Sequence, residues 1–225
     1  MPITLPSIST QTYLSAFLTL THLLKKALAS SPTANTTLPS ARLAPDMIPL
    51  SKQITKASNV ATAAIYQLLP PSYIGPAAPK WQDDESTLEE LIARCDATIA
   101  MLRGVRDEHL EGREGEKVEM VLGNGKVLRG DGRSVTLGMG MPNVMFHVVI
   151  AYAILRARGV ELGKGDYLGG FVGGTEGLEV VVPEGGRWGS LAGWGWSVEW
   201  GRNLPPVGKG QCDVPGRGVG NFLYG

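Results

Sequence analysis

Asn143 stands four residues before His147, just ahead of a run, Val144 to Leu155, that only His147 and Tyr152 interrupt with polar atoms. That separation puts both on one face of a helix, with Ala151 and Ile154 continuing the face. An imidazole that titrates near neutral pH, beside a carboxamide, can orient a bound carbonyl or carboxylate and serve as general acid or base. The same pair has a structural reading. A buried imidazole can simply donate to a backbone carbonyl while Asn143 satisfies first-turn amides.

Arg42 and Asp46 would form the opposite wall of such a pocket. Arg42 offers a planar fork for a carboxylate or phosphate, and Asp46 can orient His147. Alternatively Asp46 is the N-cap of a helix starting at Met47, with Arg42 paired to it. Tyr152, four residues before Arg156, reads either as a further ligand contact or as half of a packing and surface pair. Gly123-Asn124-Gly125 and Gly163-Lys164-Gly165 lack the strand-loop-helix setting of a nucleotide loop. Cys95 reads as a core residue.

The elements that must position these groups are helical. Leu14, Phe17, Leu18, Thr21, Leu24 and Leu28 predict an amphipathic helix over residues 10 to 29. Met47, Leu50, Ile54, Ala57, Ala61, Ala64 and Leu68 form one stripe of a second helix, stopped by Pro70 and Pro71. Ser86-Thr87-Leu88-Glu89 reads as a capping box opening a third, with Leu88, Leu91, Ile92, Cys95, Ile99 and Leu102 on its apolar face. Val118, Met120 and Leu122 alternate with polar residues before the glycines, and Val127 starts a return strand, which predicts a β-hairpin lying on the bundle. The run around His147 is the fourth helix. It is apolar all round, which predicts a central helix with a buried imidazole; at about a dozen residues it is too short for a membrane span. Gly159 fits a left-handed terminating position, with Val160 as the accompanying apolar contact.

Lys plus Arg equals Asp plus Glu at 21 each in 225 residues, which argues against nucleic acid and anionic membranes as partners. Cys95 and Cys212 imply no disulfide framework, and no basic residue precedes the apolar stretch Leu14 to Leu24; the cytoplasm is the expected compartment. From Gly170 onward the pattern changes. That segment holds 16 of the 30 glycines and Trp188, Trp194, Trp196 and Trp200, without helical or strand periodicity. It reads as an irregular appendage or as a Trp-rich binding tail.

Ala41-Arg42-Leu43-Ala44-Pro45-Asp46-Met47-Ile48-Pro49-Leu50 with Gln53, and Pro142-Asn143 through Phe146-His147, Ala151 to Arg156, Gly159-Val160 and Gly163-Lys164, together resemble a family known only as a domain of unknown function, number nineteen ninety-three. The resemblance spans about residues 10 to 169. It implies the DinB/YfiT-like four-helix fold, a superfamily often described as metalloenzymes with three histidine ligands and often dimeric. Here the histidines are His22, His109 and His147, without the helical spacing of such a site, and Gly138 stands where relatives often carry another. No metal site and no cofactor are expected.

The expectation is therefore an all-α, DinB-like four-helix bundle over residues 1–169 with a small β-hairpin before the last helix, followed by an irregular tail over 170–225. Its expected role is to bind a small organic ligand between helices, with acid/base chemistry at His147 and with Arg42, Asp46, Asn143 and Tyr152 as contacts. The competing expectation is a non-catalytic dimeric interaction protein whose histidine is structural. A homodimer is expected, with neither nucleic acid nor membrane as partner.

Overall fold

The computed structural model describes residues 3–121 and 125–174. In chain order the helices are α1 (Leu5–Ile8), α2 (Thr10–Ser30), α3 (Ala34–Thr37), α4 (Leu50–Leu68) and α5 (Leu88–Arg103). The hairpin strands β1 (Lys117–Val121) and β2 (Val127–Asp131) follow, then α6 (Gly132–Val135), α7 (Met141–Ala157) and α8 (Lys164–Gly174). The four long helices α2, α4, α5 and α7 make the bundle. α2 packs on α5 and α8, α4 packs on α7 and α5, and β1 lies against α4.

The helix periodicities translate into the core. Leu50, Ile54, Ala57, Ala61, Ala64 and Leu68 are all buried along α4. α2 buries only Phe17, Thr21 and Leu24 of its expected stripe and leaves Leu14, Leu18 and Leu28 half-buried; its buried face also takes in Tyr13, Ala16, Leu20, Leu23 and Ala27, because it is flanked on two sides, by α5 and α8. The capping box of α5 is shifted by one residue. Thr87 is the N-cap: its hydroxyl accepts from the Glu90 amide at 3.2 Å, and the Glu90 carboxylate accepts from the Thr87 amide at 3.0 Å. Glu89, which the sequence assigns to that role, instead accepts from the Asn35 carboxamide at 2.9 Å.

The hairpin is antiparallel, with Lys117 opposite Asp131, and buries Val118 and Met120 against the bundle. Gly125 has φ +79°; residues 122–124 of the expected turn lie outside the described residues. α7 ends as the sequence predicts. Gly159, at φ +83°, donates to the Arg156 carbonyl and Val160 donates to Leu155, each at 3.1 Å, which is the paired closure of a Schellman motif.

Two expectations for the fourth helix fail. It is longer than the apolar run, because α6, a π-helical turn at Thr136–Gly140 and α7 form one continuous helix, Gly132–Ala157, of 26 residues. By length and composition alone this helix could cross a membrane. The wide turn directly precedes Pro142, whose ring and missing N–H cannot be accommodated in a regular α-helical ladder. The helix is also not central. Its Val144, Val148, Ala151, Ile154 and Leu155 face α4 and α2, while Leu137 (40 % exposed), Phe146 (53 %) and Val149 (46 %) face outward. Apolar character all round recorded composition, not burial on every side.

α8 runs through Gly169 to Gly174. It lies close on α2, since a Cβ at Gly170 would come within 2.7 Å of the Ser15 carbonyl and the Thr19 amide. The Gly- and Trp-rich residues 175–225, including the four late tryptophans and Cys212, lie outside the described residues.

Candidate functional site

His147 sits at the seam between α7 and α4, half-buried rather than enclosed. Its Nδ1 lies 2.7 Å from Oε1 of Gln53, a residue buried on α4. The Gln53 amide nitrogen donates to the Ile48 carbonyl at 3.3 Å, in the loop leading into α4. That carbonyl can only accept, so it fixes which end of the Gln53 amide turns to the ring. The amide oxygen can only accept as well, so the neutral imidazole carries its proton on Nδ1. Nε2 then keeps a lone pair, and it makes no hydrogen bond among the described residues. Partial desolvation and, after it, the ammonium of Lys56 hold the His147 pKa below its ordinary 6.5, so the ring is a neutral base at physiological pH. The Phe146 ring stands edge-to-face beside it, centroids 5.5 Å apart.

The other expected contacts are distributed differently. Asn143 is half-buried one turn before His147 on the same face, and its side chain makes no hydrogen bond among the described residues. Asp46 is not a helix cap: α4 begins at Leu50, with Pro49 at its N-cap position, and Asp46 is exposed in the preceding loop. Arg42 is exposed too, and donates to the Met47 carbonyl rather than pairing with Asp46. Together with Arg158 it lines a groove of about 290 Å³ on the surface. Tyr152 faces α8, edge-to-face with Tyr167 at 6.2 Å, so its role there is packing. The loop 42–48 links these features. Arg42 holds the Met47 carbonyl, and Gln53 holds the Ile48 carbonyl one residue on.

Two polar clusters escape the sequence reading. Asp166, fully buried at the start of α8, accepts from His22 at 2.7 Å, from Lys26 at 2.9 Å and from the Gly163 amide at 2.8 Å. Burial opposes its charge, yet the hydrogen bonds from His22, Gly163 and Lys26 prevail and hold its pKa below the ordinary carboxylate value. The signal was His22 and Lys26 one turn apart on α2, a pair that becomes informative only with the partner 140 residues away. Arg94 on α5 is buried and hydrogen-bonded through all three of its nitrogens. It donates to Ser58 at 2.8 Å, Glu85 at 2.6 Å, Asn59 at 2.7 Å and Asp83 at 2.9 Å, with Trp81 stacked 4.1 Å away. It binds the long loop 69–87 to the bundle. Its signal was a cation on an apolar stripe, next to Cys95 and three residues after Leu91.

The residues present do not fit a three-histidine metal centre. His22 is engaged with Asp166, His109 packs on Tyr73 with ring centroids 5.0 Å apart, and His147 is engaged with Gln53. Among the described residues no three His, Cys, Asp or Glu side chains converge.

A four-helix bundle with a hairpin ahead of its last bundle helix is a DinB-like fold. A crystal structure of a DinB family member protein from Shewanella denitrificans is similar at 27% identity and a TM-score of 0.63, covering 72% of this chain and 90% of that one. The family model for the domain of unknown function DUF1993 matches residues 5–168, and the chain belongs to that family. No curated protein matches it.

Proposed function

We propose that this protein binds a small organic ligand at the α4–α7 seam, where His147 acts as the acid/base group and Asn143 as an orienting contact. One observation carries the reading: a half-buried imidazole, neutral at physiological pH, whose Nδ1 is committed to Gln53 and whose Nε2 lone pair is uncommitted among the described residues. A neutral imidazole always keeps one acceptor nitrogen; what favours a ligand here is that this acceptor belongs to a half-buried ring beside Phe146, with the half-buried Asn143 on the same helix face. Native mass spectrometry of the purified protein tests it. A retained small molecule should be present in the wild type and absent from His147→Ala at unchanged melting temperature. A ligand-free wild type whose stability falls by about 1 to 3 kcal/mol on the same substitution would assign His147 a structural role instead.

A second reading has its own support. Leu137, Pro142, Phe146 and Val149 form an uncharged outward stripe on the 132–157 helix, a surface suited to a second copy of the chain. The two readings are compatible, since His147 borders that stripe.

A further inference from the structure

We infer that Arg42 and Arg158 form a two-guanidinium clamp for the phosphate of a small organic phosphate monoester. The site is separate from the His147 seam and does not rest on the acid/base reading. Both arginines line the groove of about 290 Å³ together with Ser40, Leu43, Ala44 and Pro45. Backbone carbonyls orient the two guanidinium groups: Arg42 donates through Nη1 to Met47, and Arg158 through Nη2 to the carbonyl of Arg42 itself at 3.3 Å. A guanidinium has five N–H donors, so most of each fork is left for a ligand. Among the described residues no carboxylate lies within ion-pair distance of either one.

Two like charges on one groove repel, and the natural relief is an anion between them. A phosphate monoester concentrates roughly −1.5 to −2 charges on one group at neutral pH and so matches two cations at one point, where a dicarboxylate spreads its charge over two separate groups. Planar forks suit its oxygens bidentately. Arg158 follows the C-terminus of α7, where free carbonyls would oppose an anion, but the Gly159 and Val160 amides already cover the Arg156 and Leu155 carbonyls. Leu43, Ala44 and Pro45 give the groove an apolar side for the organic part of the ligand.

The test is calorimetric titration of the full chain with phenyl phosphate, inorganic phosphate and succinate. Phenyl phosphate should bind tightest, and succinate weaker by at least about tenfold. Arg42→Ala and Arg158→Ala should each weaken phenyl phosphate binding by about tenfold or more, whereas Arg156→Ala, an exposed arginine outside the groove, should leave it unchanged. Leu43→Asp puts a carboxylate into the groove at an exposed position, so it should abolish binding without unfolding the chain even where an arginine variant does not fold. Absence of heat with both phosphates, equal losses with Arg156→Ala, unchanged binding in Leu43→Asp, or succinate binding as tightly as phenyl phosphate would each overturn the clamp.

Discussion

The Gln53 carboxamide and the His147 imidazole meet 2.7 Å apart across the α4–α7 seam, and the Ile48 carbonyl behind Gln53 decides the protonation pattern of the ring. A loop carbonyl thus sets which imidazole nitrogen faces outward with a lone pair. Gln53→Leu removes the acceptor while keeping an apolar side chain of similar reach. The nitrogen chemical shifts of His147 should then move from the Nδ1–H pattern to a mixture of tautomers, with a stability loss of about 1 kcal/mol. An unchanged Nδ1–H signature would remove Gln53 from its positioning role.

The pH dependence of His147 has a definite sign. Burial and Lys56 both disfavour the imidazolium, so the folded pKa lies below 6.5 and the unfolded chain binds the proton more readily. The associated stability is present above pH 6.5 and is lost as pH falls through the folded value. Lys56→Gln, at an exposed site, should raise the His147 pKa measured by proton NMR, though not fully to 6.5, because burial is the larger cause. A lowered pKa in that variant would contradict the assignment.

Asp166 should be the pH-sensitive bond between α8 and α2. Its folded pKa is depressed, so its contribution is complete above the ordinary carboxylate value of 3.8 and disappears as pH falls from there towards the folded value. Asp166→Asn keeps the shape but removes the charge that His22 and Lys26 face. It should cost about 2 kcal/mol at neutral pH, read by urea unfolding, and the cost should shrink below pH 4. A penalty that persists unchanged in acid would mean that packing, not the ion pairs, holds α8.

Local periodicity carried most of the fold. The α4 stripe, the Gly159 stop and the alternating Val118 and Met120 all depend on neighbours within one or two turns, where sequence spacing and spatial spacing coincide. Relations between distant segments were not legible. Nothing near Gln53 in the chain marks it as the partner of His147, 94 residues later, and the same holds for Asp166 with His22 and Lys26. Asp46 has a type that suits a helix cap, but the sequence between it and Leu50 contains Pro49, whose ring disfavours the helical conformation at Ile48 and delays the helix. The role of Arg94 is hidden in the sequence for a related reason. A charge on an apolar stripe looks like a surface position until the partners Glu85, Asp83 and Asn59 come from a loop and a second helix.

The outward stripe on the 132–157 helix makes a prediction about assembly. Leu137, Phe146 and Val149 are each between 40 % and 53 % exposed, and no Lys, Arg, Asp or Glu occurs between Ser134 and Leu155 to keep water on that side. If two copies pair through this face about a two-fold axis, each exposed group is covered by its counterpart. A single carboxylate near the centre then appears twice in one apolar interface, where desolvation is costly and no cation is supplied by the stripe. Val149→Asp should therefore convert a dimer into a monomer in sedimentation experiments while leaving the helical circular dichroism intact, since Val149 contributes little to the bundle core. Ile74→Asp, at a side chain 99 % exposed in the loop after α4, is the matched control and should leave the assembly unchanged. A wild-type chain that sediments as a monomer at high micromolar concentration, or a Val149→Asp variant that remains dimeric, would exclude this face as the interface.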